Sequence, residues 1–353
     1  MTRRALVARL DSVGDVLLCG PAVRAVAASP GIDEVWMLVS SIGAEAAALL
    51  PGVDRVLVWD CPWITASAPP TTAEHLAALE ALVRDCAPEV AVVLTSFHQS
   101  PLPVALQLRL AGVPRIVGSS VDYAGDLLDV RLRPGEDFPE DQPEPVRALT
   151  IARAAGFDLP RTDDGRLRLR ADGLGPVPPE VEELGAYAVV HPGASVPSRR
   201  WPAPNHTETV ARLRAAGVGV VVTGGPGETS LTRAVAVDGA LDLGGDTPLQ
   251  VLAGILARAS VVVTGNTGPA HLAAAVGTPV VSLFSPVVPA VRWRPYGVPH
   301  VLLGDQDAAC RGTRAKDCPV PGHPCLTGVT PDQVVEACFA LAPGLPAREG
   351  ALR

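Results

Sequence analysis

Short runs of valine, leucine and alanine recur along this chain, and the segments between them carry apolar residues at helical spacing. The runs are too uniformly apolar to leave a face for solvent. That constrains the chain to parallel β/α units whose strands are covered on both sides. Arg4–Leu10, Glu34–Val39, Arg55–Trp59 and Glu89–Leu94 read as strands of a first series, with a helix over Val16–Ala28 after a polar turn. Leu76, Leu79, Leu82 and Val83 mark a further helix. A second series runs through Tyr187–Val190, Val218–Thr223, Ser260–Thr264 and Pro279–Phe284, with a last helix at Pro331–Leu341. Between the two, Asp172–Glu183 (DGLGPVPPEVEE) has the composition of a linker. A length of 353 residues suits two domains.

Composition excludes several classes. Hydrophobic residues make up 48% and charged residues 19%, so the chain can fill a core and is not disordered. The net charge of -8 argues against a nucleic-acid footprint. Lys316 is the one lysine, so a grip on an anion falls to arginine, backbone amides or helix ends. Between Arg258 and Arg292 the chain carries no formal charge, a span long enough for a bilayer. Asn266, Gly268, Pro269, Pro279, Pro286 and Pro289 break it into strand, turn, helix and strand. Arg9, Asp11 and Asp15 interrupt the apolar stretch behind Arg3 and Arg4, so no signal peptide is read and a cytoplasmic protein is expected.

Metal and nucleotide motifs narrow the field further. The seven cysteines form no C-x-x-C pair. Cys310, Cys318, His323 and Cys325 cluster, but their spacing is irregular for zinc, and reduced thiols are expected. No G-x-G-x-x-G follows a strand, and P-loop, H-E-x-x-H and G-x-S-x-G motifs are absent. Asp305-Gln306-Asp307 has the form of a metal-binding acidic pair, with a solvated turn as the alternative.

Three turns remain, each at the carboxyl end of an expected strand, where open α/β sheets bind ligands. The first, Asp11-Ser12-Val13-Gly14-Asp15, places Asp15 at or near a helix N-cap. A cap and a general base are both open to it. The second, His191 to Pro202, carries Arg199 and Arg200, a pair suited to phosphate or else to a surface loop anchored by Trp201. The third, Thr264-Gly265-Asn266-Thr267-Gly268-Pro269-Ala270-His271, starts a small-residue helix whose free amides suit a diphosphate. There His271 either touches a ligand or packs. Thr223 to Glu228 repeats the strand-to-helix logic and adds a carboxylate suited to ribose hydroxyls.

Taken together, Arg9-x-Asp11-x-x-Gly14-Asp15, HPGAS…RRWP, LRLAGVPRIVG at Leu108–Gly118 and TGNTGPAHLAAAVGTPVVSLF resemble glycosyltransferase family 9. These are the ADP-heptose:lipopolysaccharide heptosyltransferases, and the likeness runs from about Ala5 to Ala340. The resemblance implies an α/β fold of GT-B architecture, with two Rossmann-like domains facing across a cleft. Residues 1–175 would bind acceptor, 184–330 would bind the nucleotide-sugar, and 331–353 would form a helix packing back toward the first domain. It also implies inverting, metal-independent transfer of a sugar, a heptose being expected, from an ADP-sugar to a hydroxyl of a glycan or small molecule. Asp15 matches the family's base. Arg199 stands where many members carry lysine against the donor phosphates, and Asn266 where aspartate is frequent. Thr267, Gly268 and His271 match phosphate and sugar contacts, and Glu228 a ribose contact. Gly14, Ser195 and Gly225 complete the expected donor-binding set, and the acceptor wall is expected around Cys61–Thr72 and Ser96–Gln107. No metal or cofactor is expected beyond the ADP-sugar co-substrate. The protein is expected to be a monomer with at most peripheral membrane contact and no nucleic-acid partner. A nucleotide-sugar epimerase or hydrolase, or a non-catalytic sugar-nucleotide-binding protein, are the alternatives.

Overall fold

A computed structural model describes residues 2–65, 68–245 and 247–347. The chain divides into two units, Met1–Arg170 and Ala171–Arg353. The first is built on strands β1 (Arg4–Arg9), β2 (Glu34–Val39), β3 (Arg55–Val58), β4 (Val90–Val93), β5 (Ile116–Ser119) and β6 (Val130–Leu132). They form one parallel sheet in the order β3-β2-β1-β4-β5-β6. In the second unit β7 (Tyr187–His191), β8 (Gly219–Gly224), β9 (Leu241–Gly244), β10 (Val261–Gly265), β11 (Val280–Leu283) and β12 (His300–Leu303) pair in parallel as β12-β11-β10-β7-β8-β9. Counted from the first strand of each unit, the two orders are the same doubly wound order. These are the two Rossmann-like domains of the expected GT-B architecture.

The central strands explain the pattern that the sequence shows. Ala5, Leu6 and Val7 of β1 and Val261, Val262 and Val263 of β10 are fully buried, since helices cover both faces. Helix Ala73–Cys86 starts where the Thr72 hydroxyl accepts the His75 amide at 3.1 Å, and it lays Leu79 and Val83 against the first core. Helix Pro331–Leu341 is opened by reciprocal Thr330 and Gln333 bonds of 2.9 and 3.3 Å. It packs on β10, β11, β12 and helix Ala203–Ala215 of the second unit. Positions 348–353 of the expected final segment, and Ala66 and Ser67 of the expected acceptor wall, lie outside the described residues. Among the described residues no helix is long and apolar enough to cross a membrane.

Two local expectations change. The helix expected at Val16–Ala28 is two helices, Val13–Leu18 and Gly20–Ala27, parted at Cys19. Pro21 explains the break: it has no amide to donate, and its ring crowds the carbonyl one turn back. The linker-like segment 172–183 is packed rather than free. Gly175 donates its amide to the Gln250 carbonyl at 2.8 Å, and Pro179–Glu182 is helical. A Cβ on Gly254 would come within 2.3 Å of the Gly175 carbonyl oxygen, so these glycines serve a close backbone approach.

Candidate functional site

In a doubly wound sheet the crevice lies where the strand order reverses, beyond the carboxyl ends of the strands. In the first unit that point is between β1 and β4, and in the second between β7 and β10. Most of the expected site residues fall at these two places, one group in each unit, with Gly225 and Glu228 in the turn after the neighbouring β8.

In the first group Arg9, the last residue of β1, reaches into the core with a side chain only 2% exposed. Its Nη2 donates to Asp15 Oδ1 at 2.9 Å and to Ser96 Oγ at 2.8 Å. Its Nε lies 2.7 Å from Asp11 Oδ2, and its Nη1 3.8 Å from Glu144 Oε2. Gln99, in the segment after β4, donates to Asp11 Oδ1. Arg147 pairs with Glu144 at 4.0 Å and donates to the Thr95 carbonyl. Burial alone would lower the proton affinity of Arg9, but Asp11, Asp15 and Glu144 outweigh it and keep the guanidinium charged. Burial pushes the Asp11 carboxyl up, against the pull of Arg9.

The N-cap of helix Val13–Leu18 is Ser12, so Asp15 stands at the third helical position rather than at the cap. The Ser12 hydroxyl makes no capping bond and donates to Asp15 Oδ2 at 2.8 Å. Gly14 is buried in the same turn. Of the three carboxylates around Arg9, the Asp15 side chain is 20% exposed, against 10% for Asp11 and 3% for Glu144. Asp15 is therefore the most exposed of the three, with its two oxygens accepting from Arg9 and Ser12. Ser96 and Gln99 lie in the stretch expected to form the acceptor wall, and here they bind Arg9 and Asp11; Glu144 and Arg147 had no assigned place in the sequence reading. Their signal was an acidic and a basic residue one turn apart on a buried helix, which points to a buried ion pair only once the core is known.

The second group gathers around three turns. At the end of β7, His191 Nδ1 lies 3.1 Å from Thr223 Oγ1, and its Nε2 lies 3.8 Å from Glu228 Oε2. Burial holds His191 down at about 4 against the opposing pull of Glu228, so it is neutral at pH 7. Glu228 is fixed in turn: the Gly225 amide donates to its Oε2 at 2.9 Å. His206 is buried edge-on to Trp201 at 4.8 Å, and burial, with His191 nearby, takes it down to about 3.

Arg199 ends a short 3₁₀ turn that is tied down where the Ser198 hydroxyl donates to the Ala315 carbonyl at 2.6 Å. Its Nη1 donates to the Asn266 carbonyl at 3.4 Å, which joins the loop after β7 to the loop after β10. A Cβ on Gly265 would sit 3.1 Å from the Arg199 carbonyl oxygen, so the two loops touch. Asn266 is 3% exposed, and among the described residues neither atom of its side-chain amide has a hydrogen-bond partner. Thr267 is the N-cap of helix Gly268–Ala275 and makes no side-chain capping bond. First-turn amides and the helix dipole there suit an anion. His271, in the first turn of that helix, is buried. Arg200 diverges from Arg199: it donates to the Ala194 carbonyl at 2.7 Å and lines a cavity of about 580 Å³ with Trp201 and Glu228. Ser195 is exposed in the same loop.

The remaining candidates are accounted for locally. Asp305 Oδ1 accepts the Asp307 amide at 2.9 Å, and Asp307 pairs with Arg311 at 2.9 Å, the geometry of a solvated turn. Cys310 and Cys325 are buried, Cys318 Sγ donates to the Val320 carbonyl at 3.4 Å, and His323 Nε2 is 3.0 Å from the Ser198 carbonyl. Among the described residues no group of three or more His, Cys, Asp or Glu side chains is arranged to hold a metal ion.

Comparison with known proteins places this geometry. The chain is 27% identical over 299 residues to lipopolysaccharide heptosyltransferase 1 of Escherichia coli (strain K12), covering 82% of this chain and 89% of that one. Lipopolysaccharide heptosyltransferase 1 of Pseudomonas aeruginosa is 28% identical, with 89% and 87% covered. The solved structure of E. coli ADP-heptose lps heptosyltransferase II superimposes with a TM-score of 0.72 at 20% identity, over 97% of this chain and 99% of that one. Residues 106–323 match the family model described as glycosyltransferase family 9 (heptosyltransferase). With more than half its length matched, the chain belongs to glycosyltransferase family 9 and is a glycosyltransferase.

Proposed function

We propose that this protein is an inverting heptosyltransferase that moves a heptose from ADP-heptose to an acceptor hydroxyl without a metal ion. The observation that carries this reading is the placement of both residue groups at the two topological switch points, with Asp15 the most open carboxylate around Arg9. Asp15, oriented by Arg9 and Ser12, would take the proton of the acceptor hydroxyl as that oxygen attacks the anomeric carbon. The bond to the diphosphate breaks on the opposite face, and negative charge grows on the departing ADP. Arg199 and the first-turn amides of helix Gly268–Ala275 would meet that charge, the role a divalent ion plays elsewhere. Glu228 would accept the ribose hydroxyls. Asn266, buried with an unsatisfied amide, would spend it on a sugar hydroxyl. The acceptor is a glycan or a small molecule, with lipopolysaccharide the case in the relatives' names. We further read the protein as a cytoplasmic monomer with at most peripheral membrane contact.

The decisive measurement is ADP release from ADP-heptose with and without acceptor, in wild type and Asp15→Asn. Asp15→Asn should lower kcat by about 10²–10⁴-fold with little change in donor affinity. Near-normal turnover in a folded Asp15→Asn protein would remove Asp15 from the mechanism. ADP release that needs no acceptor, with an altered free sugar as product, would favour the epimerase or hydrolase alternative.

A further inference from the structure

The loop after β7 comes so close to the carboxyl group of Glu228 that no side chain fits between them. A Cβ on Gly193 would lie 2.1 Å from Glu228 Oε1 and 2.2 Å from both Cδ and Oε2. Van der Waals contact needs roughly 3.5 Å, so a Cβ here and the carboxyl group in its present place exclude one another. Gly193 has no positive φ, so its glycine is not required by the backbone; what a side chain would cost is the present position of the Glu228 carboxyl group, the movable end of a flexible side chain. On its other side the carboxyl group is held by the Gly225 amide. His191 approaches Oε2 at 3.8 Å but is uncharged at neutral pH, so it does not neutralise the carboxylate. Among the described residues Oε1 accepts no hydrogen bond.

We propose that Gly193 is a specificity-determining residue for the nucleotide. Its missing side chain seats the Glu228 carboxylate where it accepts both hydroxyls of a ribose, and this selects ribonucleoside diphosphates over their 2′-deoxy counterparts. The inference rests on the assignment of Glu228 to the ribose made above. A carboxylate with one fixed orientation can accept two neighbouring hydroxyls at once. A site built for a hydroxyl rejects the ligand that lacks it, because the acceptor is left unpaired. Adding one methyl at residue 193 would push the carboxyl group off its seat and away from the Gly225 amide, with Glu228 itself unchanged.

The test is calorimetric binding of ADP and 2′-deoxy-ADP to wild type, Gly193→Ala, Glu228→Gln and the double variant. Wild type should prefer ADP by about 10–100-fold, the worth of a hydrogen bond to a charged group. Gly193→Ala should bring that preference to within about threefold while 2′-deoxy-ADP affinity holds, and the double variant should lose no more than either single one. If Glu228→Gln abolishes the preference and Gly193→Ala keeps it, Gly193 has no such role. An equal loss of both ligands in Gly193→Ala would mean that the loop, not the carboxylate, had moved, and would also overturn the proposal. If Glu228→Gln keeps the wild-type preference, the ribose assignment itself fails. Glu228→Asp, which withdraws the carboxylate by one methylene, gives the same reading should Gly193→Ala not fold. Its preference should also collapse, and a retained preference would count against a seat of fixed geometry.

Discussion

Acidification should weaken the second unit well before its carboxylates titrate, because two histidines are buried in it as neutral rings. His206 is held at about 3 and His191 at about 4, from an ordinary value of 6.5. Both shifts are downward, so between pH 6.5 and those values the unfolded chain binds more protons than the folded one. The stability these rings contribute is fully present above pH 6.5 and is lost as pH falls toward 4. At pH 5 each ring costs about 2 kcal/mol, or roughly 4 kcal/mol for the pair. That is a large share of the 5–15 kcal/mol typical of a folded domain. His206→Phe keeps an aromatic ring against Trp201 and cannot titrate, so it should suffer about half the loss. Hydrogen exchange of the Val220–Val222 and Val261–Val263 amides reads the second unit alone. Corrected for intrinsic rates, it should show wild-type protection falling by about three orders of magnitude between pH 7.5 and 5, and the variant's by about half as many. An equal fall in both proteins would refute the argument.

Three further outcomes follow from the sites. Arg199→Ala should weaken ADP binding by roughly 1.5–3 kcal/mol in calorimetry, and unchanged affinity would make this arginine a surface residue. Excess EDTA should leave initial rates within about twofold, and Asp305→Ala should behave as a surface change. Rates that collapse with EDTA and return with Mg²⁺ or Mn²⁺ would overturn the metal-free mechanism, whereas rescue by Zn²⁺ alone would point to Cys310, Cys318, His323 and Cys325. Arg9→Gln should destabilise the first unit by about 3–5 kcal/mol, because it takes the cationic partner from the buried Asp11 carboxylate and leaves Glu144 to Arg147. A thermal melt shifted by only a degree or two would show that Arg147 alone holds the network.

Most strands were legible because a strand buried on both faces leaves an unbroken apolar run, as β1 and β10 do. β5, β6, β9 and β12 were not: β6, β9 and β12 are short edge strands with exposed or half-exposed residues, and β5, though buried, is four residues long and half of it is Gly118 and Ser119. The break at Cys19 was overlooked because apolar spacing continues across it and only Pro21 marks the boundary. Asp15, Arg199 and Glu228 were visible as polar residues in turns at strand ends. The partners that fix them were not. Ser96 lies 87 positions beyond Arg9, and Glu144 comes from a helix whose neighbours are settled by strand order. The steric demand on Gly193 is likewise set by a side chain 35 residues away, and nothing in its own turn announces it.

The packing of helix Pro331–Leu341 on β10, β11 and β12 also orders events on the ribosome. The six described strands of the first unit have been made by residue 132, and its buried Glu144 and Arg147 follow within about 15 further residues. The second unit completes its strands at Leu303 but leaves them partly uncovered until residue 341 emerges. At roughly 5–20 residues per second, the first unit can be folded about 10–35 s before the second has its last covering helix. During that interval the bare face belongs to valine-rich parallel strands, which assemble slowly and associate readily with other chains. A nascent polypeptide stalled between residues 303 and 331 should therefore be a better client for trigger-type chaperones than one stalled at 170.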